Sequence, residues 1–305
     1  MGLYPPFSPF LFQINLFGLP IAVRWYGAII MSGAMFAAWL ASRRAVARGI
    51  DPDHIWNQLI LGLIMGIGGA RIYYVAFEWH RFAGDPISAL NLTTGGLAVH
   101  GSLIGAILSA LIYTRYAKLR FWEWVDMIAP GFLIAQGIGR WGNFFNQEAY
   151  GRPTTLPFGV RIDEDRRLPP YGDMQTYPAD TLFHATFLYE SLWNVTGGSL
   201  LLWADRRFGQ GAPAERRWLR PGDVLFLYGI IYSTGRYWIE GLRTDSLCLN
   251  GVGGECAGSI RVAQLISLVL IAACAAAMVV NHRRPLSPEP TTDELRQDGG
   301  QTLPG

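Results

Sequence analysis

The sequence predicts an all-α integral membrane protein with about seven transmembrane helices and a small extracytoplasmic head between spans 4 and 5. Three observations carry that prediction. Half of the 305 residues are hydrophobic and only 16% are charged, whereas soluble domains carry about a quarter charged residues. Apolar runs of about 17–25 residues, long enough to cross a bilayer, recur through nearly the whole chain. Lys and Arg gather in alternate connecting loops. Eleven Trp and thirteen Tyr suit a protein with two membrane–water interfaces to anchor. A net charge of +2, with no basic run interleaved with aromatics, argues against a nucleic-acid partner.

Residues 1–20 contain Pro5, Pro6, Pro9 and Pro20 and lack a basic n-region. They read as an interfacial segment rather than a cleavable signal peptide. Spans follow at 21–41, 55–77, 97–114 and 124–140, making residues 21–140 the first membrane portion. Residues 141–180, rich in Pro, Gly and Asp, form the expected head. Spans 5 to 7 fall at 181–204, 222–243 and 260–281, within a second membrane portion, 181–284. The tail 285–305 carries Pro, Thr and acidic residues without apolar periodicity and reads as disordered. Orientation follows from the loop cations. Arg43, Arg44 and Arg48 follow span 1; Arg115, Lys118 and Arg120 follow span 3; five arginines follow span 5. The intervening loops are poor in basic residues, so the N-terminus is expected outside and the C-terminus in the cytoplasm.

Ionisable side chains within spans are costly and mark sites by default. On this topology Tyr26, Arg71, His100, Arg140, Glu190, Arg236 and Glu240 converge at one depth near the outer surface, from six helices. Tyr232, Arg236 and Glu240 lie four residues apart, with Arg243 three further on, which gathers them on one helical face. Several arginines at headgroup level favour a phosphate-bearing group, because guanidinium offers a planar fork to its oxygens. His100 is the natural general base near neutral pH. No metal set is apparent, and no HExxH, GxSxG or P-loop occurs. The glycine-rich "GIGGAR" (66–71) and "GGLAVHG" (95–101) read as close helix packing. A transporter built on an internal repeat finds no support, since no such repeat is visible. Neither a Ser/His pair nor paired aspartates mark an intramembrane protease.

"GRWGNFFNQEAYG" (Gly139–Gly151) resembles the signature of the prolipoprotein diacylglyceryl transferase family, G-R-x-G-N-F-x-N-x-E-x-x-G, at every specified position. "RWYG" (24–27), "GAR" (69–71), "HGSLIG" (100–105), "HATFLYE" (184–190) and "YSTGRYWIEGLR" (232–243) extend the resemblance from about residue 20 to 280. Ala185 and Phe187 stand where the family commonly has proline and glutamine, and Ser102 where it has glycine. The resemblance implies a seven-span enzyme of the bacterial inner membrane with its N-terminus outside. Its expected activity is transfer of the diacylglyceryl group of phosphatidylglycerol to the thiol of a prolipoprotein lipobox cysteine, with glycerol 1-phosphate leaving. The resemblance maps the site onto Tyr26, His100, Arg140, Asn143, Asn146, Glu148, Gly151, Tyr232, Arg236, Glu240 and Arg243. Membrane lipids and lipobox peptides are then the partners, and no cofactor is expected.

On this reading His100, Arg140, Arg236 and Glu240 are catalytic, and Arg140 and Arg236 also bind phosphatidylglycerol together with Tyr26, Asn143, Asn146, Glu148, Gly151, Tyr232 and Arg243. Glu148 and Glu240 are expected to hold arginines in register, because a carboxylate beside guanidinium is a poor base. None of the three cysteines is expected to be catalytic. Cys274 reads as a packing residue. Cys248 and Cys256, in an outer loop with three glycines between them, are expected to form a disulfide.

Overall fold

The apolar runs become seven long helices among the described residues. In this computed structural model those are residues 2–5, 8–16, 19–92, 95–249, 256 and 259–285. The helices are α1 (Trp25–Ala47), α2 (Asp53–Phe77), α3 (Val99–Tyr116), α4 (Phe121–Gly139), α6 (Thr186–Phe208), α7 (Asp223–Glu240) and α8 (Val262–Arg283), with a one-and-a-half-turn α5 (Trp141–Asn146) continuing α4. By length and composition alone α1, α2 and α8 can each cross a membrane. Ser267 is the one buried residue of α8, and Leu265, Ile266, Leu268, Val269 and Val280 are exposed on it. Side chains this apolar need lipid, not water, around them.

The chain is not purely helical. Residues Phe10–Leu16 (β1) and Leu19–Arg24 (β2) form an antiparallel hairpin where the sequence reading placed an interfacial segment and the start of span 1. Its Phe- and Ile-rich runs fit a pleated surface, and Pro20 is tolerated because both strands of a two-stranded sheet are edges. The first helix therefore begins at Trp25, whose N–H donates to the carbonyl of Pro9 (3.1 Å). The expected tail from residue 286 onward lies outside the described residues. Between α4 and α6 the chain packs against Phe187 of α6. There β3 (Val160–Arg161) pairs with β4 (Leu182–Phe183), and Phe144, Tyr150, Val160, Ile162, Tyr171 and Phe183 form an apolar cluster.

Small residues set the helix spacing. A Cβ on Gly33 of α1 would lie 3.0 Å from the carbonyl oxygen of Ala135, and one on Gly131 would lie 3.2 Å from that of Ala37, so α1 and α4 meet backbone to backbone. Gly137 of α4 faces Ser191 and Asn194 of α6, and Gly198 of α6 faces Pro130 and Ile134 of α4. Gly235 of α7 leaves room for the ring of Trp193 on α6, and Trp193 Nε1 donates to the Ile231 carbonyl (2.8 Å). Lipid gives apolar helices no solvent-driven reason to associate, so close contact of this kind is what holds them. Helices α2 and α3 form a second seam through Gly69, Gly101 and Gly105, which is the packing use expected of the glycine-rich stretches.

The end of the bundle away from α5 is closed by buried polar groups. Pro130 lies inside α4 and has no N–H, so the carbonyl of Asp126 loses its helical donor. Arg44 donates to that carbonyl (3.4 Å) and to the carbonyl of Met127. Arg44 and Arg48 both reach Asp205 on α6, each at 2.6 Å. The Asp126 carboxylate accepts the N–H groups of Gly222 (2.7 Å) and Leu225 (2.8 Å), capping the first turn of α7 from a neighbouring helix.

The α2–α3 seam makes a direct prediction. A Cβ on Gly101 would fall inside contact distance of the Gly69 carbonyl and 2.5 Å from the Tyr73 Cβ. Gly101→Val should destabilise the protein by about 1–3 kcal/mol, read as a lower thermal midpoint in detergent. An unchanged midpoint would mean the seam does not hold the two helices.

Candidate active site

The signature stretch lies where α4 runs into α5 and the chain then turns toward β3. Arg140 closes α4, its N–H donating to the Gln136 carbonyl (3.2 Å). The α4–α6 seam at Gly137 brings Glu190 of α6 within reach, and Arg140 Nε lies 2.5 Å from Glu190 Oε2. The α6–α7 seam at Gly235 brings in a second arginine, with Arg236 Nη1 3.5 Å from Glu190 Oε1. Arg243 comes from the turn after α7 and lies 3.5 Å from the same oxygen. One buried carboxylate thus gathers three guanidinium groups.

Two further carboxylates balance the cluster. Glu240 lies one turn after Arg236, and its Oε2 is 2.6 Å from Arg236 Nη2. Asp245 accepts from Arg243 Nε (2.8 Å) and Nη2 (2.6 Å). Burial pushes the Asp245 carboxyl up, but its hydrogen bond with Arg243 and that residue's charge outweigh burial and hold it below the usual carboxylate range. Among the described residues Arg140 has no second acid. Its terminal nitrogens make no hydrogen bond among the described residues, and the side chain keeps 24% of its exposure. The open edge is the planar fork that suits a phosphate.

The backbone around the cluster is fixed tightly. Gly151 pairs with Arg243 in an antiparallel bridge, and its N–H donates to the His184 carbonyl (2.9 Å). A Cβ there would lie 2.7 Å from that of His184 and 2.9 Å from the Leu242 carbonyl oxygen, so only glycine fits. Arg261 is buried at the end of α7, donating to the carbonyls of Glu240 and Arg243 and to Ser246. Cys248 and Cys256 are joined as a disulfide with Cα atoms 5.4 Å apart, and Cys248 bridges to Arg261. Cys274 packs over Gly229 of α7, the packing role expected of it.

The remaining expected residues divide. Tyr26 lies over Gly142 of the signature, where a Cβ would meet its ring at 2.5 Å. Tyr232 stacks on Tyr228 (6.1 Å between centroids), one turn before Arg236. Asn143 and Asn146 donate to Glu148 Oε1 at 2.9 and 3.2 Å, so Glu148 holds the two amides and not an arginine as expected. Phe187, where the family commonly has glutamine, packs between Trp141 and Phe144 (5.3 and 4.8 Å). His100 opens α3 and stacks on Tyr73 (5.8 Å). No ion pair or hydrogen bond ties it to the arginine cluster among the described residues.

Arg71 is a correction. The sequence reading groups it with the other polar residues at one depth, but it donates to the carbonyls of Ser88, Ala89, Gly95 and Gly96 and faces the rings of Tyr74 and Phe82. Its guanidinium is used on the backbone of residues 88–89 and 95–96. Glu190 is the opposite case. Its depth was legible from the sequence, but no local spacing links it to Arg140 or Arg243, so its central place emerges only from the fold.

Removing the shared carboxylate should be costly. Glu190→Ala leaves three guanidinium groups facing one another in a part-buried site and should destabilise by about 3 kcal/mol or more. Glu190→Gln, which keeps an acceptor, should cost less. Thermal unfolding in detergent reads both, and equal stability of Glu190→Ala and the parent would contradict the arrangement.

Comparison with known proteins finds relatives over nearly the whole chain. The profile of the prolipoprotein diacylglyceryl transferase family matches residues 11–280. A protein of Chloroflexus aggregans named phosphatidylglycerol–prolipoprotein diacylglyceryl transferase is 69% identical over 98% of this chain and 97% of its own. Proteins of the same name from Synechococcus elongatus (43% identical, 83% of this chain, 81% of theirs) and Geobacillus kaustophilus (42% identical, 87% and 90%) are also similar. By the length of the match and the degree of identity, the chain belongs to the prolipoprotein diacylglyceryl transferase family.

Proposed function

We propose that this protein transfers the diacylglyceryl group of phosphatidylglycerol to the thiol of a prolipoprotein lipobox cysteine, forming a thioether and releasing glycerol 1-phosphate. The observation that carries the reading is the set of three arginines on Glu190, with the fork of Arg140 left open, in a chain of this family. The seven long helices are seven spans of a bacterial inner membrane. The loop cations put the N-terminus, the 141–180 head and the arginine cluster outside, and the C-terminal tail in the cytoplasm. The donor lipid then presents its headgroup at the depth of the cluster.

The chemistry follows from the bonds exchanged. A carbon–sulfur bond forms at the glyceryl carbon while its bond to the phosphate oxygen breaks, so negative charge grows on a departing phosphate monoester. Arg140 and Arg236 stabilise that charge, and groups aimed at developing charge in a water-poor site are the strongest catalytic term available. Arg243, Tyr26 and Tyr232 flank the headgroup. Asn143 and Asn146, held by Glu148, bind glycerol or ester oxygens, and Gly151 keeps the backbone beside them. Glu240 orients Arg236. His100 takes the thiol proton, since the thiolate is the nucleophile and a free cysteine has a pKa of about 8.5.

Formation of the thioether on a lipobox peptide in vesicles containing phosphatidylglycerol tests the reading. Peptide cleavage or lipid transport without lipid transfer would overturn it. Arg140→Ala should nearly abolish transfer in folded protein, and Arg140→Lys should restore it only partly, because a point charge cannot reproduce the fork. Parent-like turnover in Arg140→Ala would remove this residue from the mechanism.

The role of His100 has a separate pH signature. His100→Ala should lose more rate at neutral than at alkaline pH, because the thiolate fraction of the substrate rises with pH and the base is needed less. A deficit that does not change with pH would make His100 a positioning residue.

A further inference from the structure

The turn that carries Glu148 is built unusually. After α5 the N–H of Gln147 donates to the Phe144 carbonyl (3.2 Å) and that of Glu148 to the Asn143 carbonyl (3.0 Å). This pair of bonds is a Schellman closure, in which the left-handed residue is usually glycine and sometimes asparagine. Here it is Gln147, at φ 54° and ψ 44°. Ala149, two residues on, also has a positive φ of 57°. A side chain in that backbone region is disfavoured and persists only where surrounding contacts enforce it.

Those contacts come from the head. Gln147 Nε2 donates to Asp163 Oδ2 (2.6 Å), and the Asp163 N–H donates to Gln147 Oε1 (2.7 Å). The two bonds form a closed pair between the signature turn and the segment after β3. The other Asp163 oxygen accepts from the Tyr4 hydroxyl (3.0 Å), an exposed bond of small expected weight. Position 147 is one that the family signature leaves open, and Asp163 lies outside the signature altogether.

We propose that Gln147 and Asp163 are positioning residues for lipid transfer, forming a clamp that holds the left-handed turn so that Glu148 stays beside the amides of Asn143 and Asn146. The clamp acts through those three residues and does not touch the reacting atoms. This inference rests on the lipid-binding role proposed for Asn143, Asn146 and Glu148.

The backbone gives a test that a general loss of structure would not mimic. Gln147→Ala keeps the disfavoured conformation but removes the clamp, whereas Gln147→Gly removes the clamp and relieves the conformation. In vesicles of varied phosphatidylglycerol content, Gln147→Ala should lower kcat/KM about tenfold, with a raised KM for the lipid. Gln147→Gly should recover to within about twofold of the parent. Asp163→Ala should match Gln147→Ala in the parent background and be nearly silent in the Gln147→Gly background, because the clamp has nothing left to hold. Three results would overturn the proposal: parent-like kinetics in Gln147→Ala, Gln147→Gly as impaired as Gln147→Ala, or Asp163→Ala equally harmful in both backgrounds. If the parent protein itself transfers no diacylglyceryl group, the functional reading fails and not the clamp alone.

Discussion

The end of the bundle that carries α5 depends on one carboxylate shared by three guanidinium groups. Glu190 is 6% exposed, and a buried charge is tolerable only when it is paired and hydrogen-bonded. Arg140, Arg236 and Arg243 supply the pairing from three places in the chain. Arg236 and Arg243 each have a second acid, Glu240 and Asp245, whereas Arg140 shares Glu190 alone. Among the described residues, the arginine with a single acid is therefore the one with its terminal nitrogens free. Three acids stand against three arginines, so Arg140 is distinguished by unpaired N–H donors and not by excess charge.

The rest of the fold makes that sharing possible. Arg140 reaches Glu190 because Gly137 and Gly198 allow α4 and α6 to touch, and Arg236 reaches it because Gly235 admits Trp193. At the far end of the bundle, Arg44 and Arg48 close on Asp205 while Asp126 caps α7. Between these polar ends the helices meet through glycine, alanine and serine, where a larger side chain would separate them. The disulfide of Cys248 and Cys256 and the hydrogen bonds of Arg261 brace the turn that carries Arg243.

The sequence made most of the architecture legible, because a bilayer leaves few options. A chain in lipid must satisfy its backbone internally, so length and hydropathy located all seven long helices, with ends off by up to six residues. The hairpin at 10–24 escaped because its apolar residues read equally as the approach to a span. The site was half legible. Arg140, Arg236, Glu240 and Arg243 sit in local patterns, the signature and the four-residue spacing on α7. Glu190 has no local partner, since its three arginines are between 46 and 53 residues away in sequence. Depth alone also misled for Arg71, whose carbonyl partners lie in a loop that hydropathy does not resolve, and spacing could not reveal that Glu148 would turn to the amides.

The claim that Glu190 acts by holding the arginines, and not by independent chemistry, is tested most directly by a double-mutant cycle on transfer rate. Arg140→Lys and Glu190→Gln each leave the pair able to hydrogen-bond but weaken it, so kcat/KM stays measurable for both single variants and for the double variant. Groups that work as a unit are strongly non-additive. If the carboxylate works through Arg140, the double variant should be no worse than the poorer of the two singles. Losses that multiply across the cycle would show that Glu190 and Arg140 contribute separately, and would contradict the shared-carboxylate arrangement as the basis of the site.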